Sequence, residues 1–542
     1  MYQIGFKNFR RFAEFPMKEL GDITMLVGSN NAGKSTVVKA LLLFLDNLRA
    51  MKMNNSDAGV FSTAPEFRFD ANEFHDLSIG TFGRALYNKA EKDEIELSVR
   101  MDDILKLYSE NRGSYSKKVD FTITMTLHGN KDAEGKYSFS TADVVKVNIK
   151  DNVRDAIVEM DFLTNRFNLD FKSGVNSEDM KIEDRRRHLA ELQALQKKEK
   201  DPLKAASRND EIDKLVSYIN AFDSRPKATR GRTNISTQLY SFINGTNVNI
   251  LVNYIEGIAR YTKTPTYISD EDRNDPEKEA AFQEELSNKQ ALMGKMEFFS
   301  EMAEDLSFLI DGISVEYIFA HSVTQNIFYN TDNKNDYMAQ TIHKFARASV
   351  SPGQPEDQFV KEWMGRFGIG ADYKITSYGG EAYRLVITDE SGKQLDLADK
   401  GMGSNQIMIL LLALATAIRK YRNRTVKPFI VIEEPEQNLH PALQSLLTEL
   451  FTQVRSQFGF RFIVETHSEY MIRKAQVLTA KEKFKDEKDV SENSLYTIYY
   501  FPVEKPAYRM IMEPSGKFKN PFGAGFFDEA AKLHMEILYK GK

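Results

Sequence analysis

The chain has no cysteine in its 542 residues. That excludes disulfides, thiol catalysis and cysteine zinc sites. Nor is charge of one sign in excess: 73 Lys and Arg stand against 78 Asp and Glu, a net charge of −5. No global basic field therefore draws the protein to nucleic acid or to a membrane, although a local basic patch fits that balance. Long apolar runs are missing too. The longest, Ile407 to Ile418, is too short to cross a bilayer. Met1-Tyr2-Gln3-Ile4 lacks the charged-then-apolar layout of a secretion signal, so a cytoplasmic protein without a membrane partner is expected. What remains is ordinary for a globular protein: 42% hydrophobic and 28% charged residues, in a chain long enough for two or more domains.

One stretch departs from that background. Gly28-Ser29-Asn30-Asn31-Ala32-Gly33-Lys34-Ser35 reads G-x-x-x-x-G-K-[ST], the phosphate-binding P-loop. An apolar strand, Ile23 to Val27, is expected to run into it, and a helix, Val37 to Leu48, to leave it. The glycines let the backbone curl until its N–H groups face phosphate oxygens, and the helix start adds partial positive charge. Asn30, Asn31, Ala32, Gly33, Lys34, Ser35 and Thr36 are therefore the candidate nucleotide-binding residues. Lys34 can reach the β- and γ-phosphates, and Ser35 can offer its hydroxyl to Mg²⁺.

Around this loop the pattern changes twice. Residues 1–27 read as two strands of a small antiparallel sheet feeding the P-loop strand, and Glu94–Met101 and Val119–His128 alternate like half-buried strands. Composition shifts near residue 150. Residues 176–222 are charged and helical in pattern, interrupted by Pro202, and suit a short helical hairpin better than a long coiled coil. Arg225, Lys227, Arg230 and Arg232 form a cationic loop, read either as solvated or as a contact to phosphate or an acidic surface. Glu277–Ile310 is again helical, and strand patterns return at Ser314–Phe319 and Tyr383–Thr388. The expected organisation is residues 1–150 and 311–542 as two halves of one α/β head, with 151–310 inserted as a helical region.

The later half repeats the phosphate chemistry. Phe429-Ile430-Val431-Ile432 ends in Glu433-Glu434, an apolar run that suits a strand buried on both faces with its carboxylates at the carboxyl edge, where parallel sheets bind ligands. There Glu433 would hold Mg²⁺ and Glu434 would orient or deprotonate the water that attacks a γ-phosphate. A second strand, Phe460–Val464, leads to Glu465-Thr466-His467-Ser468, which puts His467 beside the same phosphate. Asp399–Gln406 opens the apolar helix Ile407–Ile418 with glycines and a serine, a second anion cradle. One nucleotide does not need two cradles, so the second is expected to serve another subunit.

In this order the segments resemble the ABC-type ATPases of the SMC/RecF/OLD-like group. Gly28–Ser35 resembles Walker A, Asp399–Gln406 a variant signature, Ile430–Glu434 Walker B, Pro435–Pro441 the D-loop, and Thr466-His467-Ser468 the switch histidine. The resemblance covers residues 1–130 and 310–510. It implies a P-loop ABC-type head with an antiparallel β subdomain, ATP and Mg²⁺ as cofactors, and a homodimer or higher homo-oligomer clasping ATP. It implies contacts from Gly403 and Ser404 across that interface, Glu434 and His467 as catalytic residues, and Ser35, Glu433 and Asp76 at the metal. Asp76 stands where relatives carry a glutamine. After His467 no Asp-x-Asp pair follows a strand, so no built-in Toprim nuclease is expected. Gly525–Glu529 resembles the tail of stand-alone ATPases, many of them anti-phage components of the Septu, retron-associated or PARIS type. That resemblance implies a sensor or regulatory subunit that controls a separate effector nuclease of HNH or Toprim type. Nucleic acid, either DNA or reverse-transcribed DNA/RNA, is a further partner. The alternatives are a RecF/SMC-like repair ATPase binding DNA directly and a static ATP-bound scaffold.

Overall fold

The structure is a computed structural model. It describes residues 2–50, 65–70, 79–109, 113–172, 202–223, 232–238, 266–293, 296–312, 314–318, 324–334, 336–424, 426–503 and 505–540, with scattered positions between 182 and 196 and Tyr261. The chain divides into two compact units. One comprises Met1–Lys18 and Ala40–Gly312, the other Glu19–Lys39 and Ile313–Lys542.

The first unit is built on one antiparallel sheet. Its strands are β1 (Tyr2–Phe9), β2 (Phe12–Leu20), β4 (Glu66–Arg68), β5 (Glu94–Ser109), β6 (Gly113–His128), β7 (Thr141–Asp151), β8 (Ala156–Asp161), β9 (Arg166–Lys172) and β10 (Arg232–Gln238). Their order is β10-β9-β8-β7-β6-β5-β1-β2, with β4 paired to β7. β8 alternates buried and half-buried residues along its length, the mark of a strand with one face on a core. The turns on either side of it use left-handed residues, Asp155 and Asn165, both with φ of 52°, and Asn and Asp tolerate that region best after glycine. The Asp161 carboxylate accepts the N–H groups of Leu163 and Thr164, which closes the second turn.

These strands differ from the helical stretch expected over 151–310. β8, β9 and β10 lie inside it, and the sheet runs on without a break at residue 150. Among the described residues of its remainder, helices lie at Pro202–Asp223, Pro276–Met293 and Met296–Gly312. The described positions between 182 and 196 are helical, and Pro202 then begins a new helix, because the first helical position needs no N–H donor. Arg232 opens β10, while Arg225, Lys227 and Arg230 lie outside the described residues.

The second unit carries a mostly parallel sheet. Its order is β11 (Val315–Ile318), β16 (Phe429–Glu433), β17 (Arg461–Thr466), β3 (Ile23–Gly28), β18 (Tyr496–Phe501) and β19 (Tyr508–Arg509). Only β19 runs antiparallel to its neighbour. β3 and β18 are buried along their whole length, which is why they read as continuous apolar runs instead of alternating ones. A smaller antiparallel sheet holds β12 (Tyr329–Asn330), β14 (Ala382–Thr388), β13 (Asp372–Tyr378) and β15 (Gln394–Asp396). Helix Met402–Tyr421 packs against helices Tyr337–Arg347 and Pro355–Arg366. Among the described residues it alone is long and apolar enough to cross a membrane, and 67% of its most apolar window is buried inside the fold, as for a core helix. It is longer than the apolar run Ile407–Ile418 because polar ends continue the same helix.

β3 delivers the chain to the P-loop at Gly28, whose φ is 143°. A Cβ built there would stand 2.2 Å from the carbonyl oxygen of Phe501 on β18. Two independent constraints therefore demand glycine. Gly28→Ala is expected to destabilise the protein by about 2–6 kcal/mol, a strained left-handed residue plus an overpacked backbone contact. Urea denaturation checks this, and a variant as stable as the parent would contradict the geometry.

Candidate functional site

Parallel pairing brings three strand ends to one edge. Thr466 of β17 is level with Val27 of β3, and Glu433 of β16 is level with Glu465 of β17. The loop Gly28–Ser35 leaves β3 at this edge and enters helix Lys34–Ala50. Asn31 and Gly33 hold positive φ angles of 59° and 101°, which turns the backbone into the curl the sequence pattern implies. Ser29, Asn30 and Asn31 are exposed, Gly33 and Ser35 half-buried, and Ala32, Lys34 and Thr36 buried.

Lys34 is held inside the curl. Its Nζ donates to the carbonyls of Gly28 at 3.1 Å and Ser29 at 3.0 Å, and lies 3.7 Å from Glu465 Oε1. Burial lowers its pKa, and the carboxylates of Glu465, Glu434 and Glu436 oppose that shift. Ser35 Oγ donates to the same Glu465 oxygen at 3.0 Å. Glu465 is 5% exposed. Burial, then the negative charge of Glu433, pushes its carboxyl up to about 7, against the pull of Ser35 and Lys34. Its other oxygen is buried with no hydrogen-bond partner.

The two acidic residues that end β16 part ways. Glu433 stays in the strand, half-buried, and its charge helps burial push up the hydroxyl pKa of Tyr317 on β11. Glu434 turns out of the strand with φ of 46°. Its N–H donates to the Glu465 carbonyl at 2.8 Å, and its Oε1 lies 3.4 Å from His467 Nε2. The Gln437 amide donates to its second oxygen. Burial, then the Lys34 charge, lowers the His467 pKa, so the imidazole is neutral at neutral pH and can donate or accept. Glu436 is buried, its oxygen accepts the His467 backbone N–H at 2.6 Å, and burial raises its pKa.

Lys34, Ser35, Glu434 and His467 thus meet around Glu465. The structure adds Glu465 and Glu436 to the residues expected from sequence. Both stand inside the motif segments, but no simple spacing distinguishes a site carboxylate from a strand end. Glu434, Glu465 and His467 place ligand atoms within 4.8 Å of one another. Mg²⁺ prefers oxygen donors, and the Ser35 hydroxyl with the carboxylates of Glu433 and Glu465 offers them. The buried Glu465 oxygen without a partner fits such a cation, which would polarise phosphate oxygens and neutralise their charge. Asp76 lies outside the described residues.

Gly403 and Ser404 lie elsewhere in the unit. They open helix Met402–Tyr421, which is capped by Gly401 without a side-chain hydrogen bond. The Ser404 N–H donates to the Gly401 carbonyl at 2.9 Å, and Gly403 packs beside Asn438 and Leu439. A Cβ on Gly403 would stand 2.7 Å from the Asn438 carbonyl oxygen. Gly401 and Met402 are exposed, Gly403 and Ser404 half-buried. Two residues on, the fully buried Gln406 donates to the Pro435 carbonyl at 2.9 Å and accepts from the Asn438 amide at 3.2 Å. This side chain ties the glycine–serine turn to the segment that follows Glu434.

A glycine curl between a buried strand and a helix, flanked by acid-tipped parallel strands, is the arrangement of P-loop α/β proteins. A family profile described as AAA ATPase domain matches residues 1–472, and the chain belongs to this family. Over 42 residues it is 48% identical to an uncharacterized protein of Methanocaldococcus jannaschii, a match spanning 8% of this chain and 19% of that protein. Among solved structures it is similar to a Pyrococcus furiosus Smc head domain with an extended coiled coil, bound to the C-terminal domain of ScpA. That match has 12% identity, 99% of this chain and 100% of that one covered, and a TM-score of 0.34. The SMC head domain from Thermotoga maritima matches at 10% identity, with 87% and 90% covered and a TM-score of 0.31.

Removing Gln406 would leave a buried carbonyl and an amide without partners. Gln406→Leu is expected to cost about 1–3 kcal/mol, read by urea denaturation. An unchanged midpoint would mean that the two bonds contribute nothing.

Proposed function

We propose that the protein binds Mg-ATP on Asn30–Thr36 and hydrolyses it. The carrying observation is the convergence of Lys34, Ser35, Glu434 and His467 at one sheet edge. Phosphoryl transfer asks mainly for positioning and charge neutralisation, and each requirement has a candidate here. Lys34 Nζ exchanges the Gly28 and Ser29 carbonyls for phosphate oxygens. Ser35 and Glu433 hold the cation. Glu434, set apart from the strand by its left-handed turn, orients and deprotonates the attacking water. Neutral His467 donates to the γ-phosphate.

In the same reading two copies associate around ATP, with Gly403 and Ser404 of one facing the nucleotide of the other. Partial exposure of that turn, at a helix start without a side-chain cap, supports this. The ATP-bound assembly acts as the sensor and regulatory subunit of an anti-phage complex and holds or releases a separate nuclease chain. This last step rests on the resemblance of the motif segments to stand-alone defence ATPases.

Turnover tests the core of the reading. Glu434→Gln is expected to lower phosphate release by about 10²–10⁴-fold while ATP stays bound, and light scattering is expected to show an ATP-dependent dimer. Lys34→Ala is expected to lose ATP binding. Unchanged turnover in Glu434→Gln, or a particle that stays monomeric with ATP, would refute the corresponding step. The defence role predicts that the gene with its genomic neighbours lowers phage plaquing, and that Lys34→Ala abolishes the effect.

A further inference from the structure

The carboxylate that organises the P-loop is neither of the two that end β16. Ser35 Oγ spends its proton on Glu465 Oε1 at 3.0 Å. A hydroxyl fixed in that way turns its lone pairs away from the carboxylate, and a cation needs those lone pairs. Outer partners of this kind set ligand orientation and metal affinity. The second Glu465 oxygen is buried and has no hydrogen-bond partner, in a side chain that is 5% exposed. A buried acceptor of this kind is costly unless something fills it. Glu433 stands level with Glu465 on the neighbouring strand, and Lys34 Nζ lies 3.7 Å away. The Glu465 backbone also acts, because its carbonyl accepts the N–H of Glu434 at 2.8 Å and holds the bend that sends Glu434 out of the strand.

We propose that Glu465 is a metal-positioning residue of this site: one oxygen orients the Ser35 hydroxyl toward the cation, and the other takes the cation or a water bound to it. The proposal rests on the reading of Gly28–Ser35 as an Mg-ATP site and adds a residue to it. Glu465 touches no phosphate in this scheme. Its removal should weaken the metal and spare the nucleotide.

The probe is Mn²⁺ titrated by electron paramagnetic resonance into the full-length protein with a non-hydrolysable ATP analogue bound. Analogue binding in EDTA is measured separately by calorimetry. Glu465→Gln keeps the shape and loses the charge. It is expected to weaken Mn²⁺ about 10- to 100-fold and to leave analogue binding in EDTA within about twofold of the parent, which also shows that the loop is folded. Glu465→Asp keeps the charge with a shorter reach and should fall between the two. Equal Mn²⁺ affinity in parent and Glu465→Gln overturns the proposal, as does a Gln variant that loses analogue binding in EDTA while the Asp variant behaves as the parent. If the parent itself binds no analogue under either condition, the nucleotide reading fails, and that result is distinct from the failure of Glu465 alone.

Discussion

The register of three parallel strands is the constraint on which the site depends. β3, β17 and β16 lie side by side, and parallel pairing aligns their carboxyl ends at one edge. Each strand contributes through the residue at or just past its end: the P-loop after β3, Glu433 and Glu434 at β16, and Glu465 to His467 at β17. A shift of one residue in any pair would invert the faces of that strand. ITMLV, FIVI and FIV are buried on both faces, so a slip would exchange side chains of different size between two packed faces. The same burial explains why the ends are sharp. Gly28 must approach Phe501 more closely than a Cβ allows, and Glu434 leaves the sheet at a positive φ.

Charge is the second organising quantity. Glu434, Glu436 and Glu465 act on Lys34, Glu433 acts on Glu465, and burial lowers the pKa of His467. Carboxylates outnumber cations, and burial, with their mutual repulsion added to it, raises the pKa of Glu436 and Glu465. Buried like charges of this density are retained where a cation or a proton completes them. An Mg²⁺ ion would reduce the imbalance and screen the carboxylates from a triphosphate. The site therefore suits a metal–nucleotide pair better than either component alone.

The elements of the second unit were the more legible ones. Continuous apolar runs bounded by Gly, Pro or paired acids leave little choice of structure: Ile23–Val27 and Phe429–Ile432 fall inside strands, and Phe460–Val464 does so from Arg461 on. The first unit was harder to read. β8 and β9 alternate, but their hydrophobic residues are interleaved with charged and polar ones, and charge hides the period in the part of the sheet that lies beyond residue 150. At the site, Lys34 and Ser35 were legible because a fixed local spacing defines them. Glu465 was not, because its role comes from lying opposite Glu433 and beneath Ser35, a juxtaposition made by sheet order and not by proximity in sequence.

The glycine–serine turn is tied to the segment that follows Glu434. Gly403 lets the Asn438 carbonyl come close, and Gln406 bonds both to Pro435 and to Asn438. The segment held in this way begins directly after Glu434, whose carboxylate faces His467. A change in the angle of Glu434 must therefore be absorbed by Pro435–Asn438 or passed to the start of helix Met402–Tyr421. Buried hydrogen bonds resist absorption more than solvent-exposed ones, because breaking them leaves polar groups without water. In the two-copy arrangement proposed above, this gives each subunit a direct mechanical link between the water-facing carboxylate of its own site and the turn it offers to its partner.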